Sequence, residues 1–292
     1  MEIKIAEVCG LCAGCKRAIQ VAKDELSKGK NVTIFKEIVH NKNVNSMLKN
    51  AGANFENDIN NLNKNSVVII RAHGEPPITY EHLQQKGIDY KDCTCFNVEK
   101  IHKDVEDFYQ KGYTIIILGK YKDKLHPEVF GTLGWTNDDA ILIEDKEDLT
   151  KIKNVNNKIY LVCQTTFNID QAENLIDKIS ELAKSKNVEI IVNKSICSVN
   201  KLINKSSKEL AKNCDVMIVV GGKNSSNSKE LYNNLKDLCP TIFVEDVNLY
   251  KHELKVNNIV LNSQTKIGLT AGASTMKEEL EVLKELIIQD FE

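Results

Sequence analysis

The sequence predicts an α/β protein of three small parallel-sheet domains, arranged as a pseudo-threefold trefoil around a central cavity. Three observations support this. Short, continuous β-branched runs alternate with segments of helical periodicity, the pattern of parallel sheets covered on both faces. That alternation recurs three times along the 292 residues. Each recurrence also places a cysteine between a strand-like run and a helix-like run: Cys12, Cys95 and Cys197.

The elements follow in order. Ile3 to Val8 is a strand leading into Cys12. After Cys12 a helix presents Cys15, Ala18, Ile19, Ala22 and Leu26 on one face; after Cys95 the face is Val98, Ile101, Val105 and Phe108; after Cys197 it is Val199, Leu202, Ile203, Ser206 and Leu210. Each helix leads to a buried strand: Val32–Phe35, Thr114–Leu118 and Val216–Val220. A second strand follows in each repeat, at Val67–Arg71, Ile159–Val162 and Ile267–Thr270. Then comes a second helix, at Thr79–Lys86, Asp170–Lys184 and Lys277–Ile288. A further strand, Val188–Val192, leads into Cys197, and the third repeat has no such strand at its own end. The N-terminal strand is therefore expected to close the third sheet. The domains are residues 13–95, residues 96–195, and residues 196–292 with 1–12. Asn57–Asn65 and Lys151–Asn157 read as solvated connections.

Ligands of open α/β sheets bind beyond the carboxyl ends of the strands. The residues there are His40, His73, His126, Gln164–Thr166, Gly221–Asn227 and Ala271–Ser274. Gly221–Asn227 is rich in small residues and hydrogen-bond donors and leads into a helix through Leu231 and Leu235. Amides at a helix start, with Ser225, Ser226 and Asn227, suit an oxyanion such as phosphate, and Ser274 offers the same. His126-Pro127-Glu128 sets a carboxylate beside a histidine, a candidate proton relay.

The cysteines admit two readings. A free cysteine packs well as a small hydrophobe; three thiolates, one per repeat, with a fourth position open, suit a metal centre that does chemistry. Cys9, Cys12 and Cys15 share a spacing that zinc and ferredoxin-type sites use, but Cys15 falls on an apolar helix face and no second pair completes a zinc site. Cys163, Cys214 and Cys239 lie in or beside apolar runs and read as core. His82, His102 and His252 read as surface.

Gly10-Leu11-Cys12-Ala13-Gly14, Glu37–Asn41, Ala72-His73-Gly74, Thr94-Cys95, His126–Val129, Gln164–Thr166, Lys223–Ser228 and Thr270–Ser274 together resemble the 4-hydroxy-3-methylbut-2-enyl diphosphate reductase family, in the family's order and over nearly the whole chain. The resemblance implies a 4Fe–4S cluster in the central cavity, with Cys12, Cys95 and Cys197 as its ligands and one iron open to the substrate. It implies diphosphate binding by His40, His73, Ser225, Ser226, Asn227 and Ser274. Thr165 and Glu128 would stand near the substrate hydroxyl, with Glu128 as proton donor assisted by His126. A ferredoxin or flavodoxin would supply electrons. The alternatives are a divergent relative acting on a different ligand at the same cluster, and a non-catalytic iron–sulfur protein.

The chain departs from the family pattern at Phe96, where proline is usual, and after Cys197, where Ser198–Asn204 replaces a threonine-containing run ending in Arg-Gln. It also carries a longer Gly119–Leu125 run before His126, and the additional thiols Cys9, Cys15 and Cys93. No departure removes an expected ligand or proton donor; these changes alter the surroundings of the cluster, which tune potential and access. A net charge of -2 with interspersed signs argues against nucleic acid or an anionic membrane as partner. No signal-like or membrane-spanning run stands out. Nine cysteines without a signal peptide read as thiols or metal ligands in the cytoplasm.

Overall fold

Parallel pairing throughout, in three four-stranded sheets, is the architecture of the chain in a computed structural model that describes residues 1–39, 41–153, 155 and 158–291. The first repeat runs β1 (Glu2–Ile5), α1 (Ala13–Ser27), β2 (Val32–Phe35), α2 (Lys42–Asn50), β3 (Asn54–Glu56), β4 (Val67–Ile70) and α3 (Pro77–Gln85). The second runs β5 (Tyr90–Asp92), α4 (Phe96–Gln110), β6 (Thr114–Leu118), α5 (Pro127–Gly134), β7 (Ile141–Ile143), β8 (Ile159–Cys163) and α6 (Ile169–Ser185). The third runs β9 (Ile190–Asn193), α7 (Ser198–Ala211), β10 (Val216–Val220), α8 (Ser226–Lys236), β11 (Thr241–Val244), α9 (Tyr250–Val256), β12 (Lys266–Ala271) and α10 (Lys277–Gln289).

The sheet orders are β3-β2-β4-β5, β7-β6-β8-β9 and β11-β10-β12-β1. The same order thus repeats three times. In each sheet one edge strand feeds a cysteine and then a helix: β5 leads to Cys95, β9 to Cys197 and β1 to Cys12. The N-terminal strand closes the third sheet, with Ile3 opposite Ile267 and Ile5 opposite Leu269.

Two compact units make up the chain: Met1–Ile19 with Val39–Ala51 and Ser198–Glu292, and Gln20–Ile38 with Gly52–Cys197. The first unit packs Val216, Ile218, Val220, Leu269 and Leu280 on one side of its sheet and Met217, Val219, Leu231 and Ile203 on the other. A strand buried on both faces has no solvent side, hence the continuous Val/Ile runs. The second unit holds two sheets with separate cores around Ile116, Leu118 and Leu161, and around Val68, Ile70 and Leu83.

Several elements differ from expectation. β3, β7 and β11 are edge strands of three or four residues, too short for a periodic signal. α2 and α5 are short helices the sequence reading did not expect; only the start of α5, at His126–Val129, was read, for its polar residues. β1 ends at Ile5, and Val8 is exposed. Leu202, assigned to the buried face of α7, is 51% exposed, while Ser207 and Ala211 are buried in that helix. His102, read as surface, is buried under a tilted stack with Trp135. Leu62 and Ile152 anchor the two stretches read as solvated, and three residues of the second lie outside the described set. Among the described residues no helix is long and apolar enough to cross a membrane.

Candidate active site

Glu128 begins α5, just after the Pro127 that opens the helix. His126 caps that helix: the Glu128 amide N–H donates to His126 Nδ1 at 3.2 Å. A neutral imidazole accepting at Nδ1 carries its proton on Nε2, so the cap leaves the histidine a donor on its far side. The Glu128 side chain turns to Thr165 rather than to His126. One carboxylate oxygen accepts from the Thr165 amide at 2.5 Å and the other from the Thr165 hydroxyl at 2.6 Å. Glu128 is 2% exposed, and burial lifts its carboxyl to about 7 against the opposing pull of the two Thr165 bonds. The Thr165 carbonyl in turn accepts the Cys197 N–H at 2.8 Å. One residue therefore ties a carboxyl poised near neutrality to a thiol-bearing turn.

In the same unit, Asn97 Nδ2 donates to Cys197 Sγ at 3.7 Å. Asn97 stands in the first turn of α4, whose N-cap is Cys95, so the Cys95 and Cys197 turns meet. The His73 and His126 rings also meet there, edge to face at 5.6 Å between centroids.

The first unit holds the serines. Ser225 caps α8 by accepting from the Ser228 N–H, and its hydroxyl lies 2.9 Å from that of Ser274. Ser226 and Asn227 are half-buried in the first turn. Gly221 and Gly272 allow this close packing: a Cβ on either would fall within 2.4 Å of Ser228 Oγ. Two hydroxyls and the amides of a helix start thus stand together, a combination that suits an oxyanion.

Cys12 belongs to this unit, its N–H bonded to Ala273 O at 3.1 Å. Hydrogen bonding from the Cys15 thiol lowers the Cys12 thiol to about 6 against burial, with amide N–H groups of the α1 start adding to the effect. The Cys15 amide lies 3.5 Å from Cys12 Sγ. A thiol so placed is largely thiolate at neutral pH, the form that binds iron. Cys95 and Cys197 are half-buried as well, whereas Cys93, Cys163 and Cys239 are buried. Burial pushes the Cys163 thiol up to about 12. The lowered Cys12 thiol fits thiolate coordination, and Cys95 and Cys197, half-buried beside helix starts, are placed to join it, whereas the buried Cys163 is not. Among the described residues no group of three or more Cys, His, Asp or Glu could hold a metal ion. His40 lies outside the described residues.

The family model described as LytB protein matches residues 3–287. The chain belongs to the LytB family. Among LytB-related proteins, the 4-hydroxy-3-methylbut-2-enyl diphosphate reductase of Clostridioides difficile strain 630 is 39% identical over 277 residues, covering 94% of this chain and 95% of that protein. The enzyme of the same name from Caldanaerobacter subterraneus subsp. tengcongensis is 37% identical, covering 99% of each. A solved structure of (E)-4-hydroxy-3-methyl-but-2-enyl diphosphate reductase, described as the terminal enzyme of the non-mevalonate pathway, superposes with a TM-score of 0.72 at 32% identity. It covers 99% of this chain and 100% of that one. A solved structure of E-1-hydroxy-2-methyl-but-2-enyl-4-diphosphate reductase from Plasmodium falciparum gives a TM-score of 0.83 at 28% identity, covering 98% of this chain and 87% of that one. The three parallel-sheet α/β repeats expected from the sequence are observed as three four-stranded parallel sheets, in the fold of those reductase structures.

Sequence reading missed two features of this LytB chain. Asn97 carries no motif of its own; the departure at Phe96, which is 74% exposed, marked the position without giving the contact. The buried Arg71–Glu75 pair with half-buried Lys36 also escaped it, although Arg71 and Glu75 flank the His73 motif at an i,i+4 spacing.

Proposed function

We infer that this chain reduces (E)-4-hydroxy-3-methylbut-2-enyl diphosphate to isopentenyl and dimethylallyl diphosphate. The supporting observation is the double hydrogen bond from Thr165 to a buried Glu128, with the Cys197 turn held by the same residue. A carboxyl near 7 beside a candidate iron ligand is what a proton-coupled removal of hydroxide requires.

The reaction consumes two electrons and two protons. The allylic C–O bond breaks, one proton leaves with the hydroxyl as water, and the other ends on carbon, at either of two allylic positions. Cys12, Cys95 and Cys197 are the residues that would hold a 4Fe–4S cluster. When bound, that cluster supplies electrons singly and a Lewis-acidic iron. Glu128 holds a proton in a water-poor pocket and gives it to the departing hydroxyl oxygen. Thr165 fixes the carboxyl in place through its amide and hydroxyl. His126, with its donor on Nε2, assists. The diphosphate is bound by His40, His73, Ser225, Ser226, Asn227 and Ser274, together with the amides that begin α8. The protein divides into lobes at 13–95, 96–195, and 196–292 with 1–12. The electron donor is a ferredoxin or flavodoxin in the cytoplasm, a compartment that suits nine free thiols.

Iron and sulfide analysis of anaerobically purified protein tests the cofactor, with about four of each per chain expected for this cluster type. Zinc without iron contradicts it. A full cluster that fails to reduce the substrate favours the divergent relative instead.

A further inference from the structure

Buried Arg71 and Glu75 and half-buried Lys36 form a charge cluster that the mechanism above does not use. Lys36 stands just past β2 and Arg71 just past β4, and the Ile34–Ile69 pairing of those strands brings the two positions side by side. Glu75 is fully buried and divides its carboxylate between them. One oxygen lies 2.6 Å from Lys36 Nζ and the other 2.8 Å from Arg71 Nη2. Arg71 is 5% exposed. The Lys36 ammonium is also held over the Phe35 ring at 4.6 Å and the Phe130 ring at 5.0 Å.

Buried ion pairs contribute little net stability, because desolvation offsets their attraction; geometric definition is the better-attested reason to keep them. The geometry here is specific. Arg71 and Glu75 are the two ends of the turn that carries His73. The Gly74 N–H closes the turn on Arg71 O at 3.1 Å, with Gly74 at a φ of +72°. The turn is pressed against α5, the helix that carries Glu128 in its first turn. Trp135 Nε1 donates to Glu75 O at 3.3 Å, and a Cβ on Gly131 would reach within 3.2 Å of Gly74 O. The His73 ring meets His126, the cap of that helix.

We propose that Arg71, Glu75 and Lys36 act as an ionic clip that positions His73 for the diphosphate end of the substrate. Glu75 is a positioning residue in this scheme and touches no ligand. The proposal rests on the reading of His73 as a diphosphate ligand. Its chemistry is directional: two cations pull one carboxylate toward the strand ends, and the turn between Arg71 and Glu75 is held in a single arrangement.

The test is a double-mutant cycle on the cluster-loaded protein, with inorganic pyrophosphate as probe and calorimetry as readout. His73→Ala should weaken pyrophosphate binding. Glu75→Gln should weaken it about tenfold in the wild-type background and less than about threefold in the His73→Ala background, the signature of residues that act through one another. Equal losses in both backgrounds would overturn the proposal, because a general loosening of the fold weakens both alike. No loss from Glu75→Gln alone would overturn it too. Unchanged affinity in His73→Ala would instead remove the His73 assignment itself. If Glu75→Gln does not fold, Lys36→Met, which removes the more exposed partner, takes its place under the same criteria.

Discussion

Replacing Glu128 with glutamine removes a proton and little else. The amide fits the same pocket: its oxygen accepts from the Thr165 N–H, and its nitrogen donates to Thr165 Oγ1, which then serves as acceptor. The fold should therefore survive, and cluster content should not change. Turnover should fall by ~10²–10⁴, the contribution of a positioned general acid. The pH dependence gives a sharper readout. With the wild-type carboxyl at about 7, turnover should drop about fivefold between pH 7 and pH 8 as the protonated fraction falls from about a half to about a tenth. The same shift has a stability consequence. The folded value lies above the ordinary 4.5, so this group's stabilisation is complete below that value and is lost as pH rises through 7. The loss amounts to about 3 kcal/mol at full ionisation, and Glu128→Gln should not show it. The assay is anaerobic steady-state reduction from pH 6 to pH 9, with thermal melts from about pH 4 to pH 9. A variant that keeps a tenth of wild-type turnover, or that keeps the alkaline fall with the same midpoint, would refute the assignment.

Three further outcomes are expected. Cys197→Ser should lose most of its iron on desalting, whereas Cys163→Ser, at a buried thiol in the sheet core, should retain it; iron analysis decides, and a full stable cluster in Cys197→Ser removes that ligand. Ser225→Ala combined with Asn227→Ala should weaken substrate affinity by ~1.5–3 kcal/mol for each charge-assisted bond lost. The missing α8 cap should cost about 1 kcal/mol of stability besides; calorimetric affinity beside a melt separates the two effects, and unchanged affinity contradicts the site. Asn97→Leu should lower the cluster's reduction potential by removing an N–H donor from Cys197 Sγ; spectroscopic potentiometry reads it, and an unmoved potential shows that the contact does not reach the cluster.

The fold was largely legible because buried parallel strands announce themselves. Val216–Val220 and Thr114–Leu118 fall where the apolar runs place them, and the unpaired N-terminal strand has one sheet that lacks an edge. Edge strands such as Asn54–Glu56 were not legible, since three half-solvated residues carry no pattern. At the candidate site, the motifs pointed to Glu128, Thr165, Ser225 and Ser274. What they could not convey was pairing: the Glu128 carboxylate bonds Thr165 rather than the adjacent His126, and Ser225 reaches Ser274 from 49 residues away. The burial of His102 was hidden for a related reason. Helical periodicity assigns Ile101 and Val105 to the core, and only tertiary packing on Trp135 brings in the residue between them. The Arg71–Glu75 pair carried no signal in sequence, Arg71 standing there only as the end of a strand; its 1–6% side-chain exposure sets it apart.

Anaerobic turnover of (E)-4-hydroxy-3-methylbut-2-enyl diphosphate with a strong one-electron donor tests the central claim most directly. Brown, iron-loaded protein should convert it to both isopentenyl and dimethylallyl diphosphate, with one water released for every two electrons consumed. Protein that carries a full complement of iron and sulfide yet yields neither product would contradict the assigned reaction.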